Sequence, residues 1–95
     1  MANNKSFWHV YIVHCSDKTL YTGITMDLEK RLDEHNSGKN GARYTRARRP
    51  VQLVYAESAC SRPEAAKREY QIKKMPRDKK KELIKTNPWG RILRV

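Results

Sequence analysis

A predicted β-hairpin near the N-terminus limits the folds open to this chain more than any other feature. Residues 7–15 (FWHVYIVHC) are rich in β-branched and aromatic side chains, which favour a strand. Residues 16–18 (SDK) are typical of a turn, and residues 19–23 (TLYTG) indicate a second strand that returns beside the first. The remaining segments must therefore pack against an antiparallel strand pair.

Helix and strand signals alternate after the hairpin. Residues 27–36 (DLEKRLDEHN) predict a helix, with acidic residues in its first turn and Gly38 just beyond its end. Residues 39–50 (KNGARYTRARRP) form a basic loop with room for a helical turn, and residues 51–58 (VQLVYAES) predict a third strand.

Two further helices complete the predicted domain. Ser61 and Glu64 form a capping box around Pro63, which marks the start of a helix that extends to about Met75. Residues 77–85 predict a last, very basic helix. The order ββαβαα predicts an α+β fold, in which a small three-stranded antiparallel sheet is flanked by helices.

The length and charge of the chain limit what it can bind. At 95 residues it has room for one domain, with a core at about residues 7–85 and a tail at 86–95. Its 21 Lys and Arg against 10 Asp and Glu give a net charge of +11, which favours nucleic acid over an anionic membrane as partner. With neither a signal-peptide pattern nor an apolar run near the roughly 18 residues of a spanning helix, we expect a cytoplasmic protein. We expect it to bind no membrane and no small-molecule cofactor.

The basic residues fall into two runs. One surrounds Tyr44 in the loop, and arginines with an interleaved aromatic side chain suit contact with a nucleic-acid backbone and stacking on bases. The other approaches the last helix, where the alternative interpretation is a solvated helix face. The residues predicted to contact nucleic acid are Arg43, Tyr44, Arg46, Arg48, Arg49, Lys73 and Lys74.

Alternate residues of the hairpin strands face opposite sides of the sheet. Trp8, Val10 and Ile12 share the predicted core face, and Tyr11 and Tyr21 then lie together on the other face. Two neighbouring phenols off the core indicate a candidate site. Alternatively, tyrosines simply suit the surface of a strand.

Two polar residues lie beside the apolar stripe of the first helix. Leu28 and Leu32 form the buried stripe, and Arg31 and His35 flank it. Both can be ordinary residues, with His35 a hydrogen-bonded residue at the edge of the buried stripe and Arg31 paired with Asp27 one turn earlier. Both are also candidates for a site.

Glu69 is the least expected residue of the next helix. It falls near the middle of the apolar arc, where a carboxylate is costly unless it is paired or holds a metal. An ion pair with Lys73 and a ligand role toward Mg²⁺ are both open at this point. The residues of the predicted arc are Ala65, Ala66, Tyr70 and Ile72.

Two tripeptides, residues 10–12 (VYI) and 21–23 (YTG), resemble the paired signature of the GIY-YIG endonuclease superfamily. Arg31, ten residues after the tyrosine of the second tripeptide, resembles the arginine of that family's helix. His35 is similar to its histidine-or-tyrosine position and Glu69 to its metal-binding glutamate. The stretches LYTGIT, HNSG and RRP resemble in particular its small stand-alone bacterial branch, the YhbQ-like proteins.

This resemblance implies an endonuclease that hydrolyses phosphodiester bonds in DNA, in repair or recombination. It implies that Glu69 binds one Mg²⁺ or Mn²⁺ ion and that Tyr21 accepts the proton of the attacking water. Arg31 would neutralise charge on the phosphate, while Tyr11 and His35 would orient the water or share the proton transfer. DNA is the expected partner ahead of RNA.

Two positions depart from the family pattern. The lysine that repair incision subunits carry just after the second tripeptide is Ile24 here. Many relatives also carry an asparagine after the glutamate helix, where this chain has residues 79–81 (KKK). The alternative function is therefore a nucleic-acid-binding module with a vestigial nuclease site.

Overall fold

All the predicted helices and strands are present in the computed structural model, which describes residues 7–37 and 42–86. Their ends lie within two residues of the predicted ones, and the basic loop holds a helical turn. The predicted helix stop at Gly38 and residues 87–95 of the predicted tail lie outside the described residues. The elements are β1 (Trp8–His14), β2 (Leu20–Thr25), α1 (Leu28–Ser37), α2 (Arg43–Arg46), β3 (Gln52–Ala59), α3 (Arg62–Lys73) and α4 (Arg77–Lys85). Within the described ranges, no helix is long and apolar enough to cross a membrane.

The three strands form one antiparallel sheet in the order β2-β1-β3. In the hairpin, Tyr11 lies opposite Gly23, and Val13 lies opposite Tyr21. Tyr11 and Tyr21 are therefore diagonal neighbours on one face of the sheet, as the length of the turn predicted. The predicted α+β fold with its three-stranded antiparallel sheet is confirmed.

Both faces of the sheet are buried, so the prediction that the tyrosine face lies off the core is wrong. Helices α3 and α4 cover the face of Val10 and Ile12, which is the predicted core face. Helix α1 covers the other face, where Tyr11 is only 2% exposed. Strand alternation identifies one core face only when the other face meets water, whereas β1 is a central strand between two helical layers. The second core contains Tyr11, Val13, Cys15, Leu28, Val51, Leu53 and Ala56.

The hairpin turn ties the helical segments on the two sides of the sheet together. Asp17 Oδ1 accepts hydrogen bonds from the backbone and side chain of Thr19, at 3.1 and 2.6 Å, which closes the turn. Arg48 Nε donates to Asp17 Oδ2 at 2.9 Å. On the opposite side, Arg77 Nη2 donates to the Lys18 carbonyl at 2.6 Å. The turn therefore anchors the segment after α2 and the start of α4.

Helix α1 is anchored at both ends. The Asp27 carboxylate accepts a hydrogen bond from the backbone N–H of Lys30 at 3.1 Å, which caps the start of the helix. Near its end, the Asn36 side chain accepts from Val51 N at 2.7 Å and donates to Val51 O at 3.0 Å. These contacts hold the helix, and the polar side chains it carries, against the sheet.

Candidate active site

The core between the sheet, α1 and α2 contains a line of buried polar side chains. The Tyr11 hydroxyl lies 2.8 Å from His35 Nε2, and His35 Nδ1 lies 2.7 Å from Thr45 Oγ1. His35 and Thr45 are fully buried. His35 is hydrogen-bonded, as its ordinary interpretation predicts, but its predicted position at the edge of the buried stripe is wrong, because α2 covers that side of α1.

Arg31 joins this line from one turn earlier in α1. Its guanidinium hydrogen-bonds the Tyr11 hydroxyl and forms an ion pair with Glu34 at 3.0 Å. The ion pair is thus made to Glu34 in place of Asp27, which caps the helix instead. Arg31 brings a positive charge to the edge of the buried line, because its side chain stays about a quarter exposed (24%).

Burial sets the protonation states of Tyr11 and His35. It raises the pKa of Tyr11 to about 12, against the opposing effect of the hydrogen bond from Arg31. It lowers the pKa of His35 to about 4, and the nearby positive charge of Arg31 acts in the same direction. At neutral pH the phenol is therefore protonated and the imidazole is neutral.

Tyr21 lies beside the line and is more exposed than Tyr11. Its ring meets His35 edge-on, with centroids 5.4 Å apart, and stacks on the Tyr44 ring at 5.7 Å. Four of the predicted catalytic residues, Tyr11, Tyr21, Arg31 and His35, thus form one cluster.

Glu69 approaches this cluster from α3. Ala65 and Ile72 on the same helix face are fully buried, and the Glu69 side chain is 22% exposed. The placement of Glu69 on the buried arc was therefore correct, but that of Tyr70 was wrong, because Tyr70 is 63% exposed. Burial is the main cause of the raised pKa of Tyr11, and the negative charge of Glu69 is a minor further cause, so this charge acts on the phenol although α3 covers the other face of the sheet.

The sequence leaves two interpretations of Glu69, an ion pair with Lys73 and a metal ligand, and the ion pair is present in the structure. Lys73 Nζ lies 3.3 Å from the Glu69 carboxylate, with the Lys73 side chain half-exposed. Among the described residues, no group of three or more His, Cys, Asp or Glu forms a ready-made metal site. A single carboxylate still fits Mg²⁺, which binds through one or two carboxylates, water and a substrate phosphate. Glu69 can therefore hold such an ion once Lys73 turns toward solvent.

Two of the residues predicted to contact nucleic acid also make hydrogen bonds within the protein. Arg48 bridges Asp17 and the Tyr44 carbonyl, and its guanidinium carbon lies 4.0 Å from the centre of the Tyr44 ring. Arg49 Nε donates to the His35 carbonyl at 2.6 Å. Both arginines therefore hold α2 and its neighbours in place around the site.

The other predicted contacts lie on the surface. Arg43 and Arg46 are exposed on α2, beside the half-exposed Tyr44. On α3, Lys73 pairs with Glu69, and beyond the helix end Lys74 Nζ lies 5.0 Å from the centre of the Tyr70 ring. The basic residues thus flank the cluster on the α2 side and on the α3 side.

Sequence reasoning missed Thr45 and the steric role of Gly23. The Tyr11 ring packs directly over Gly23, so that a Cβ at this position would lie 2.5 Å from the Tyr11 hydroxyl oxygen. The second tripeptide pointed to Gly23, but no local pattern distinguished Thr45. Ile24, which stands where repair incision subunits carry a lysine, packs against the core under α3 and α4.

Neutral His35 in the core makes stability depend on pH. Its pKa is about 4 in the folded protein against an ordinary value of 6.5, so the unfolded chain binds the proton more readily. Neutral His35 contributes about 3 kcal/mol to the free energy of unfolding. This contribution is complete above about pH 6.5 and is lost as the pH falls toward 4. His35→Gln should therefore flatten the pH dependence of the free energy of unfolding between pH 7 and 4, measured with urea. Equal slopes for parent and variant would contradict the buried neutral state.

Comparison with known proteins agrees with this geometry. Residues 7–82 match the model of the GIY-YIG catalytic domain. A UPF0213 protein of Syntrophus aciditrophicus is 62% identical over 80 residues, which cover 84% of this chain and 92% of that protein. A UPF0213 protein of Halobacterium salinarum is 52% identical over 76 residues, covering 80% and 97%.

Two solution NMR structures share the fold. Protein EF2693 of E. faecalis is 41% identical, with a TM-score of 0.59 over 90% of each chain. The UPF0213 protein BH0048 of Bacillus halodurans is also 41% identical, with a TM-score of 0.54 over 84% of each chain. The resemblance inferred from the two tripeptides is thus confirmed, and the chain belongs to the GIY-YIG catalytic domain family.

Proposed function

We propose that this protein is a metal-dependent endonuclease that hydrolyses phosphodiester bonds in DNA, acting in repair or recombination in the cytoplasm. The convergence of Tyr11, Arg31 and His35 beside Tyr21, with the charge of Glu69 acting on Tyr11, carries the proposal. Phosphodiester hydrolysis requires a proton acceptor for water, positive charge for the phosphate and an oxygen ligand for a metal ion. This cluster contains one side chain suited to each task.

The geometry supports separate roles for the two phenols. The Tyr11 hydroxyl is buried against His35 and hydrogen-bonded to Arg31, so it suits orientation of other groups. Tyr21 is the more exposed phenol and accepts the proton of the attacking water. A phenol is a poor base at neutral pH unless positive charge lies near, and we assign that charge to the bound metal or to Arg31. The same guanidinium neutralises charge that builds on the phosphate.

Glu69 is the proposed ligand of one Mg²⁺ or Mn²⁺ ion. Such an ion stabilises negative charge on the phosphate oxygens when it is bound. The Lys73 ammonium keeps the free carboxylate paired, at 3.3 Å, and lies on the exposed side of the pair. We expect the carboxylate to exchange this partner for the metal when substrate binds.

A second candidate is a nucleic-acid-binding module whose nuclease site is vestigial. The observation that favours it is the same Glu69–Lys73 ion pair, which masks the carboxylate that would otherwise repel a phosphate. Ile24 adds to it, because this position packs in the core and offers no cation to a substrate. The two candidates differ in whether bound nucleic acid is cut.

Cleavage of a panel of labelled substrates tests the proposal. The panel contains single-stranded, duplex, nicked, flapped and branched DNA, and RNA, each with Mg²⁺, with Mn²⁺ and with chelator. Few elements of the domain could read base edges, so we expect cutting to depend on structure, ends or single strands. Metal-dependent cutting of DNA supports the endonuclease when the cutting activity co-elutes with the protein. Binding without cutting across the panel supports the vestigial site.

The exposed arginines of α2 should contribute to binding through phosphates. We expect Arg43→Ala with Arg46→Ala to weaken binding to all DNA sequences alike. The slope of log K against log salt concentration should become shallower by about one for each phosphate that the double variant no longer neutralises. The control is Lys67→Ala with Lys85→Ala, which removes equal charge from exposed positions of α3 and α4. Equally weakened binding in both double variants would show that net charge, and not this surface, determines binding.

A further inference from the structure

Thr45 ends the line of buried polar groups that begins at Tyr11. Its Oγ1 lies 2.7 Å from His35 Nδ1, and it also donates to the backbone carbonyl of Ala42 at 3.1 Å. Thr45 is fully buried, and Arg48 fixes the segment that carries it: the Arg48 backbone N–H donates to the Thr45 carbonyl at 2.9 Å. The threonine hydroxyl therefore has a fixed position and two fixed partners.

The protons along this line can be assigned by counting donors. A hydroxyl has one proton, and that of Thr45 goes to the Ala42 carbonyl. The same carbonyl also accepts from the backbone N–H groups of Thr45 and Arg46, at 3.2 and 3.1 Å. With the hydroxyl proton on that carbonyl, Thr45 Oγ1 accepts from His35, which places the imidazole proton on Nδ1. In the neutral ring Nε2 is bare, so it accepts the proton of the Tyr11 hydroxyl at 2.8 Å. Burial, which lowers the pKa of His35 to about 4, keeps the ring neutral at pH 7.

We propose that Thr45 is a positioning residue that holds His35 in its Nδ1–H tautomer and so commits the Tyr11 proton to His35. The Tyr11 oxygen then offers only lone pairs to the site. It accepts the hydrogen bond from Arg31 and would accept one from a water molecule, but it does not donate to either. The importance of Thr45 for cleavage rests on the proposed nuclease function, whereas the assignment of the His35 tautomer does not.

The ring nitrogens of His35 report the tautomer directly in long-range ¹H–¹⁵N correlation spectra. In the parent protein we expect a protonated, pyrrole-type Nδ1 and a bare, pyridine-type Nε2. Thr45→Ser keeps the hydroxyl and should keep this pattern. Thr45→Val keeps the shape without the hydroxyl and should shift the ring toward the Nε2–H form. A pyridine-type Nδ1 in the parent, or an unchanged pattern in Thr45→Val, would overturn the proposal.

The parent spectrum decides the tautomer even if the valine variant fails to fold. Where the protein cuts a substrate, Thr45→Val should reduce the cleavage rate about 10-fold or more, a loss like that caused by removing the outer partner of a metal-bound histidine. Thr45→Ser should restore most of that rate. Equal rates in the parent and in a folded Thr45→Val would overturn the positioning role. Absence of cutting in the parent would refute the nuclease proposal while leaving the NMR result to judge the tautomer.

Discussion

Gly23→Ala is expected to destabilise the protein by about 1–3 kcal/mol, although alanine is normally favoured over glycine inside a strand. The new Cβ would lie 2.5 Å from the Tyr11 hydroxyl oxygen and 2.7 Å from Tyr11 Cζ. The ring cannot easily move away, because it is 2% exposed and its hydroxyl is bonded to His35 and Arg31. We therefore expect the variant to be less stable and to break the hydrogen bond between Tyr11 and His35.

A double-mutant cycle separates this clash from a general effect on the strand. Gly23→Ala is introduced into the parent and into Tyr11→Leu, and the free energy of unfolding is measured with urea for all four proteins. The cost of the alanine should shrink or change sign when the tyrosine ring is absent. An equal cost in both backgrounds would show that the close approach of Tyr11 is not the reason for glycine at this position.

Tyr21→Phe is expected to reduce metal-dependent cleavage by about 10²–10⁴-fold with little change in substrate binding. The substitution removes only the hydroxyl, which is the proposed proton acceptor. The ring can keep its edge contact with His35 and its stack on Tyr44, so the fold should be preserved. Single-turnover cleavage rates and binding constants measured on one substrate give both quantities.

Tyr44→Phe is the matched control for Tyr21→Phe. It also removes one phenol oxygen beside the site and keeps the stacked pair of rings. We expect this variant to cut within a few-fold of the parent. Tyr21→Phe that cuts at the parent rate would refute the role of Tyr21 as base, and equally slow cleavage by both variants would point to the hydration of the surface instead.

The elements of the fold were predictable because their signals are local. The Ser61 cap accepts from Glu64 N at 3.3 Å as the capping box predicts, and the hairpin turn closes around Asp17 within a few residues. Depth in the core was not predictable in the same way. Whether Tyr11 and His35 lie at a surface depends on which helices cover the sheet, and strand alternation holds no information on that.

The site was predicted in part for the same reason. Arg31, His35 and Glu69 were found because each interrupts or borders an apolar helix face, a pattern that the sequence displays directly. The structural roles of Arg48 and Arg77 were missed, because they bond to partners 31 and 59 residues away. Thr45 likewise acquires its role only when α2 folds over α1.

The proposed nuclease function is tested most directly by comparing Glu69→Gln with Glu64→Gln on one substrate that the parent protein cuts. Both residues lie on α3, but Glu64 is exposed in its first turn, away from the tyrosine cluster. Loss of the metal ligand should remove several kcal/mol of transition-state stabilisation, a fall of about 10³-fold or more in the cleavage rate.

Cleavage and binding are measured together for the two variants, with Mg²⁺ and with chelator. We expect Glu69→Gln to bind DNA as tightly as the parent or more tightly, since a negative charge is removed, while cutting almost nothing. Glu64→Gln should cut and bind like the parent. Equal cleavage by both variants, or loss of binding with Glu69→Gln, would contradict Glu69 as the metal ligand of a nuclease site.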